Sequence, residues 1–171
     1  MVAVPKSGST DIGDKLAEPG LQAVYESFLT NPEINFMMAA GAVMRASKII
    51  GLRAEAVLAP LELTLLRYEV LARLDVAEGG RMTVRDLKEL ALMNSATMTY
   101  TLDNLEKRKL LKRHQDRSDR RVVIAEITPA GARLVRKAHE ALKTVHFGIN
   151  GDLSEDQACE VAVVLSELRS V

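Results

Sequence analysis

A stripe of hydrogen-bonding side chains recurs at helical spacing between residues 97 and 108. Short hydroxyls, a phenol, an amide and a guanidinium are the groups that bind base edges and phosphates in a DNA major groove. A helix face that only meets solvent carries the same residue types, so the stripe alone leaves both interpretations open. Its members are Thr97, Tyr100, Thr101, Asn104 and Arg108.

A block of positive charge follows this stripe directly. Residues 107–121 contain eight Lys or Arg and two Asp, a local charge of +6 in a chain whose formal net charge is zero. A charge run is often only a solvated loop. Here it adjoins a hydroxyl-rich helix, and that combination is typical of a nucleic-acid-binding face. A basic loop tip can also insert arginine into a minor groove, where the negative potential is strong.

The surrounding pattern predicts two short helices that position the stripe. Thr83 is a suitable N-cap with Asp86 three residues later, and Leu87, Leu90 and Ala91 then form an apolar face. The segment 92–94 breaks that pattern. Asn94 can cap a second helix over 96–107, whose apolar face is Met98, Leu102 and Leu105.

Two β-prone segments complete the module. Residues 110–114 and 122–127 are predicted to be strands joined by a basic tip at 115–121. Two helices, a tight turn and a two-stranded ribbon are the element order of a winged helix-turn-helix.

The run 63–142 resembles the MarR family of bacterial transcriptional regulators. The similar pieces are LTLLRYEVLARL (63–74), TVRDLKELALMNSATMTYTLDNLEKRKLLKR (83–113), DRSDRR (116–121) and ITPAGARL (127–134). The resemblance implies a dimer on a pseudo-palindromic operator, with 96–107 as recognition helix and Asp119 holding the wing residue Arg121. The chain departs from the family pattern at Lys109, where glycine is usual, and at Tyr100, where arginine is common. The expected DNA-binding residues are Ser95, Thr97, Thr99, Tyr100, Thr101, Asn104, Arg108, Arg117, Ser118, Asp119, Arg120 and Arg121.

The flanking sequence predicts further helices. Residues 1–19 are expected to be a disordered arm, and 21–30 a short amphipathic helix. Asn31-Pro32-Glu33 is a strong helix start, with Asn31 as N-cap, for a helix that ends near Pro60. Its methionine-rich stripe is either plain core or the adaptable wall of a ligand pocket. The stripe is Ile34, Met37, Met38, Gly41, Met44 and Ile49.

Three more capped helices are expected over 65–77, from Pro129 onward and from Ser154 to about Arg169. The first should bury Leu66, Val70, Leu71 and Leu74, and the last carries an apolar stripe. A module this small cannot cover all its apolar faces, so pairing with a second copy across a two-fold axis is expected. The stripe of the last helix is Ala158, Val161, Ala162, Leu165 and Leu168.

The fold class is therefore mainly α with a small β-hairpin wing, a winged helix-turn-helix with N- and C-terminal dimerisation helices. Residues 20–60 should provide dimerisation helices and a pocket wall, 61–127 the DNA-binding domain and 128–171 the C-terminal dimerisation helices. No apolar run is long enough to span a membrane, and residues 1–17 lack the apolar segment of a signal peptide, so a cytoplasmic protein is expected.

No grouping of residues indicates an enzyme or a cofactor. The chain lacks Gly-rich phosphate loops, His-Glu-x-x-His and Cys-x-x-Cys. His139 and His146 are seven residues apart, on one side of a single predicted helix, but with Glu140 they make a weak metal site. Cys159 lies in an apolar helix, where a buried inert thiol is favoured over a redox switch.

The resulting hypothesis is a transcriptional repressor released by a small aromatic or anionic effector. The family resemblance implies that the effector binds between the long first helix and the DNA-binding lobe. The rivals are a protein–protein module with a winged fold and a DNA binder without an effector. Arg45 and Lys48 equally suit a solvent-facing helix surface. The expected effector-binding residues are Phe36, Met37, Met44, Arg45, Lys48 and Tyr68.

Overall fold

The computed structural model describes residues 30–168, and the expected arm at 1–19 and most of the helix at 21–30 lie outside that range. Within it, six α-helices and three β-strands follow one another along the chain. They are α1 (Asn31–Leu58), α2 (Leu65–Val76), β1 (Arg81–Thr83), α3 (Val84–Leu90), α4 (Ser95–Lys107), β2 (Leu111–Gln115), β3 (Val123–Ile127), α5 (Pro129–Lys143) and α6 (Glu155–Ser166).

Capping side chains fix where five of the helices begin. Each cap accepts a hydrogen bond from the backbone N–H three residues later, as the sequence predicts, and removing one such cap typically costs about 1 kcal/mol. At α6 the full capping box forms, since Gln157 also accepts the N–H of Ser154. The five caps are Thr64, Thr83, Asn94, Thr128 and Ser154.

The start of α1 differs from the prediction. Thr30, and not Asn31, precedes the first helical residue, because the Ile34 N–H donates to the Thr30 carbonyl. The Glu33 carboxylate accepts from the Thr30 backbone N–H at 2.7 Å and from its hydroxyl at 2.6 Å. These two hydrogen bonds lower the pKa of Glu33.

The sheet has three antiparallel strands in the order β1-β3-β2. The predicted two-stranded ribbon forms as β2 and β3, and β1 is an additional strand that the sequence did not predict. β1 pairs Met82 with Ala125, and three residues are too few to show an alternating pattern in the sequence. The two predicted strands also begin one residue later than expected. The Leu110 N–H donates to the end of α4, and the Val122 N–H donates to the Asp119 carbonyl in the wing turn, so both lie outside the ladder.

One hydrophobic core lies between α2, α4, α5 and the sheet. Leu74, Leu87 and Leu105 are fully buried, whereas the predicted core residue Leu90 is 52% exposed and Leu66 is half-buried. Burial of one such leucine contributes about 1.5–3 kcal/mol. The core comprises Ala54, Leu58, Leu63, Tyr68, Val70, Leu71, Leu74, Leu87, Met98, Leu102, Leu105, Leu110, Leu111, Ala125, Val135, Ala138 and Leu142.

The wing is anchored to α5 by a close backbone approach. The Thr128 hydroxyl donates to the Lys109 carbonyl at 2.8 Å. A Cβ atom at Gly131 would lie 2.1 Å from the Leu110 carbonyl oxygen, so only glycine fits there. This contact fixes the angle at which α5 leaves the sheet.

Helix α1 crosses the division of the chain into two compact units, which falls between Ile49 and Ile50. At the other end, α6 ends at Ser166, and Arg169, the predicted end, lies outside the described residues. No residue of α6 is buried in this single chain. No helix among residues 30–168 has the length and apolarity needed to cross a bilayer.

Candidate nucleic-acid interface

Helices α3 and α4 form a helix-turn-helix whose second helix presents one face to solvent. Met98, Leu102 and Leu105 hold α4 on the core, with 1% or less of each exposed. The Asn94 side-chain oxygen accepts from the Thr97 N–H at 2.8 Å and begins the helix. The intervening turn includes Leu92, which is 81% exposed and has a positive φ of 50°.

The first two turns of α4 carry the accessible part of the predicted stripe. Ser95 and Thr99 are exposed, Thr97 is half-buried, and Tyr100 is 68% exposed. The Thr99 hydroxyl donates to the Ser95 carbonyl at 2.9 Å, so its donor is used within the helix. The remaining surface consists of hydroxyl oxygens, methyl groups and one phenol.

The rest of the stripe does not face solvent as predicted. Thr101 is only 2% exposed, and its hydroxyl donates to the Thr97 carbonyl at 2.8 Å. The Oδ1 atom of Asn104 is buried without a hydrogen-bond partner. A 3.6-residue period turns both side chains toward the flank of the helix that packs on the core, which the residue types alone did not reveal.

Arg108 is also turned away from the predicted surface. Its guanidinium donates to the Glu62 carbonyl at 2.6 Å and to the Leu61 carbonyl at 3.3 Å, and it pairs with the Glu62 carboxylate at 3.5 Å. The side chain therefore holds α4 against the segment that precedes α2.

The wing turn holds its arginine as the family resemblance implies. The Asp119 carboxylate accepts from Arg121 Nε at 3.1 Å, from Nη2 at 3.2 Å and from the Arg121 backbone N–H at 3.0 Å. Hydrogen bonding to Arg121 lowers the pKa of Asp119. Asp116 similarly accepts from the Ser118 hydroxyl and from the backbone N–H groups of Ser118 and Asp119.

An ion cluster that the sequence did not suggest joins the wing to the recognition helix. Arg113 of β2 donates from Nη2 to Asp103 Oδ1 and to Glu106 Oε2, both at 2.6 Å, and from Nε to Glu106 Oε2 at 3.0 Å. Its backbone N–H also donates to Glu106 Oε1, at 2.8 Å. These bonds lower the pKa of Glu106 and outweigh burial in raising the pKa of Arg113.

The ion pairs change how the +6 charge of residues 107–121 is distributed. Arg113 is neutralised by the cluster, and Lys112 pairs with Glu126 at 3.0 Å. Among residues 30–168, four of the eight cations have no carboxylate partner, and all four are exposed. These four are Lys107, Lys109, Arg117 and Arg120.

Comparison with known proteins identifies this architecture. The model of the MarR family matches residues 63–123, which include α2, the helix-turn-helix and β2. The crystal structure of Sco5413, a MarR family transcriptional regulator from Streptomyces coelicolor, superposes with a TM-score of 0.73 at 27% identity, covering 80% of this chain and 94% of that one. Residues 63–123 are therefore a MarR family domain. The chain is a DNA-binding transcriptional regulator and not an enzyme.

Two further proteins are similar over shorter or more divergent alignments. The helix-turn-helix-type transcriptional regulator YhbI of Bacillus subtilis is 32% identical over 103 residues, covering 60% of this chain and 66% of YhbI. A cysteine-to-serine mutant of MarR from E. coli, in its complex with operator DNA, superposes with a TM-score of 0.70 at 20% identity, over 80% of this chain and 97% of that one. The second likeness concerns the fold alone.

The predicted effector residues lie on α1 and α2 of this MarR protein. Phe36 and Met44 are 76% and 73% exposed, Arg45 and Lys48 are exposed, and Met37 is half-buried. Tyr68 instead belongs to the core, and its hydroxyl lies 3.1 Å from His139 Nδ1. Burial, and secondarily Glu69, raise the pKa of Tyr68.

The histidines and the cysteine differ from expectation. Helix α5 ends at Lys143, so His146 is not on the helix of His139, and it lies in a short 3₁₀ turn. His139 packs edge-on against Phe147, with ring centroids 5.1 Å apart. Cys159 is exposed on α6, and the prediction of a buried thiol is wrong for the single chain. Within the described residues no three His, Cys, Asp or Glu side chains are grouped to hold a metal ion.

Proposed function

We propose that this chain is a homodimeric repressor that binds a pseudo-palindromic operator. Each copy would place α4 in the major groove and its wing in the adjacent minor groove, with the half-sites about 34–36 Å apart. The observation that carries the proposal is the capped, solvent-facing first half of α4 on the same compact unit as a wing whose Arg121 is held by Asp119. Residues 61–127 would form the DNA-binding domain.

The proposed contacts divide into two groups. Ser95, Thr97, Thr99 and Tyr100 would contact base edges and nearby phosphates, because they are the accessible polar residues at the start of α4. The wing tip would contact the minor groove and the backbone through exposed cations. These wing residues are Arg117, Ser118, Arg120 and Arg121, with Asp119 fixing the last of them.

Dimerisation is proposed through the terminal segments, 20–60 and 128–171. Helix α6 and the residues just after it leave Val163, Val164 and Leu168 at 58%, 66% and 71% exposure. Apolar side chains at this density on one segment usually mark a contact surface. A two-fold axis would pair the helix with its own copy and would also match the symmetry of a palindromic operator.

Release by a small aromatic or anionic effector is proposed to involve α1. Two cations, Arg45 and Lys48, lie exposed on the same helix as the apolar side chains of Phe36 and Met44. Tyr68 is buried and hydrogen-bonded, so the proposal depends on the α1 residues. An effector can release the operator only if it binds the DNA-free conformation more tightly than the bound one.

A mobility-shift titration with the duplex upstream of the protein's own gene tests the proposal. Replacing Arg121 with alanine should weaken binding by at least about tenfold, because a charge-assisted contact of about 1.5–3 kcal/mol is lost in each copy. Arg136→Ala is the matched control, since Arg136 is an exposed arginine of α5 that lies outside the proposed DNA-binding domain. Equal affinity of the two variants would refute the wing assignment, and small aromatic acids that release the wild type would support the effector.

A further inference from the structure

We infer that the operator base pairs under α4 are mainly A·T, recognised through thymine methyl groups by Ala96, Thr99 and Tyr100. The inference depends on the proposed function, because it assumes that α4 enters the major groove. It states which base pairs the exposed face of α4 prefers in the operator, which membership of the family does not specify.

Helix α4 itself carries no cation before its last residue, and the cation nearest its start is Lys88 of α3, which donates to the Ser95 hydroxyl at 3.5 Å. Guanine is recognised in the major groove chiefly by arginine or lysine that donates to its O6 and N7 atoms. Residues 95–106 contain no arginine or lysine, and Lys107 is the last residue of α4. Arg108 would be the next cation, but it is bonded to the Glu62 and Leu61 carbonyls.

The one amide side chain of α4 is not placed to read adenine. Asparagine reads adenine by pairing its side-chain oxygen and nitrogen with N6 and N7 together. Asn104 is the only amide side chain within α4, and its Oδ1 atom is buried. It therefore cannot present both atoms to one base. Asp103, which could accept from cytosine, is occupied by Arg113 at 2.6 Å.

What remains exposed is suited to methyl contacts. Ala96 is exposed and presents a methyl group. The Thr99 hydroxyl donates its hydrogen to the Ser95 carbonyl, so the Thr99 methyl group is the part of that side chain available for an apolar contact. The Tyr100 ring is 68% exposed in the middle of this surface. The C5-methyl of thymine is the apolar feature of the major groove, and alanine, threonine methyl and aromatic side chains contact it. A hydroxyl can both donate and accept a hydrogen bond, so the hydroxyl groups of this face add no preference for guanine.

Binding-site selection from a random duplex library with the full-length protein tests this inference. The positions under α4 should be mostly A·T in each half-site. In the selected site, replacing one contacted thymine with deoxyuridine removes only its methyl group, and affinity should fall about fourfold, or about 0.8 kcal/mol. Deoxyuridine at a thymine outside the protected region is the control and should change nothing.

A Tyr100→Arg variant provides the complementary result. Tyr100 is exposed, so this substitution should leave folding intact, and the new guanidinium should shift selection toward G·C at one position of each half-site. A wild-type site with G·C pairs under α4, or uracil replacement without effect at every thymine there, would overturn the inference and leave DNA binding standing. Failure to select any site would overturn the proposed function and this inference with it.

Discussion

The ion cluster that joins the wing to α4 allows the loss of stability caused by one substitution to be estimated from the structure. Arg113→Ala removes three charge-assisted hydrogen bonds, two to Glu106 and one to Asp103, and leaves those two carboxylates facing each other. Hydrogen bonds to a charged group contribute about 1.5–3 kcal/mol. The partners are partly solvated, since the Arg113 side chain is 26% exposed and those of Asp103 and Glu106 are 46% and 36% exposed.

We therefore expect Arg113→Ala to lower the free energy of unfolding by about 2 kcal/mol, and the Tm by roughly 4–8 °C for a chain of this size. The assay is urea and thermal unfolding followed by circular dichroism at one fixed protein concentration, because dimer stability varies with concentration. Arg85→Ala is the control. Its pair with Glu89 has side chains 83% and 59% exposed and is screened by solvent, so a much smaller loss than for Arg113→Ala is expected.

DNA binding adds a second readout for the same substitution. Without the cluster the wing is no longer fixed to α4, so operator affinity should fall even though Arg113 is not proposed to touch DNA. A double-mutant cycle with Glu106→Gln should give a coupling energy clearly above zero. Equal stability losses for Arg113→Ala and Arg85→Ala would refute the reasoning and would mean that the cluster is as weak as a surface ion pair.

Three further predictions concern stability. Gly131→Ala should lower the free energy of unfolding by about 1–3 kcal/mol or more, because its Cβ would lie 2.1 Å from the Leu110 carbonyl oxygen. Gly51→Ala should raise the free energy of unfolding by about 1 kcal/mol, because its Cβ would have nothing within 4 Å and alanine favours a helix over glycine. Urea unfolding measures both changes. Lys109→Gly should raise the Tm, since Lys109 holds a φ of 57° that glycine adopts freely, and a lower Tm would contradict this. The hydrogen bond from Arg113 lowers the pKa of Glu106. The ionised Glu106 therefore stabilises the fold at pH values above the ordinary pKa of glutamate, and this stabilisation is lost as the pH falls. The wild type should therefore lose more stability than Glu106→Gln between about pH 5 and pH 3, and parallel pH profiles would contradict this.

The sequence predicted the helices well because their signals are local. A cap and its partner are three residues apart, so Thr83, Asn94 and Ser154 could be identified from the chain alone, and all three caps form. The recognition helix and wing were likewise located to within one residue, because helical spacing and a charge block mark them.

Features set by tertiary contacts were not predictable in this way. The short strand β1 exists because β3 offers it a free edge, and the three residues 81–83 carry no pattern of their own. Arg108 and Arg113 look identical to the other wing cations in the sequence, yet both are bound to the protein itself. Arg108 is bound because the fold brings Glu62, which is distant in sequence, next to it. Arg113 is bound because the position of β2 beside α4 places it next to Glu106.

The exposure of Thr101 and Asn104 was overestimated for a related reason. Residue type suggested a binding stripe, but α4 contacts the core over a wider arc than its three large apolar residues indicate. The glycine-like conformation of Lys109 was signalled by the family pattern, where glycine is usual, and the positive φ gives the physical reason for that preference.

The central claim, specific operator binding by the face of α4 and the wing, is tested most directly by a salt titration. Fluorescence anisotropy would compare the purified protein on its own promoter duplex and on a scrambled duplex of equal length. We expect one dimer per promoter duplex, tighter binding to it than to the scrambled duplex, and a logarithmic affinity that falls by about 0.9 for each phosphate contact per logarithmic unit of salt. Arg121→Ala should make that slope shallower, whereas Arg136→Ala, an exposed arginine of α5 outside the proposed DNA-binding domain, should not. Equal affinity for both duplexes at every salt concentration, or a slope that Arg121→Ala leaves unchanged, would contradict the account.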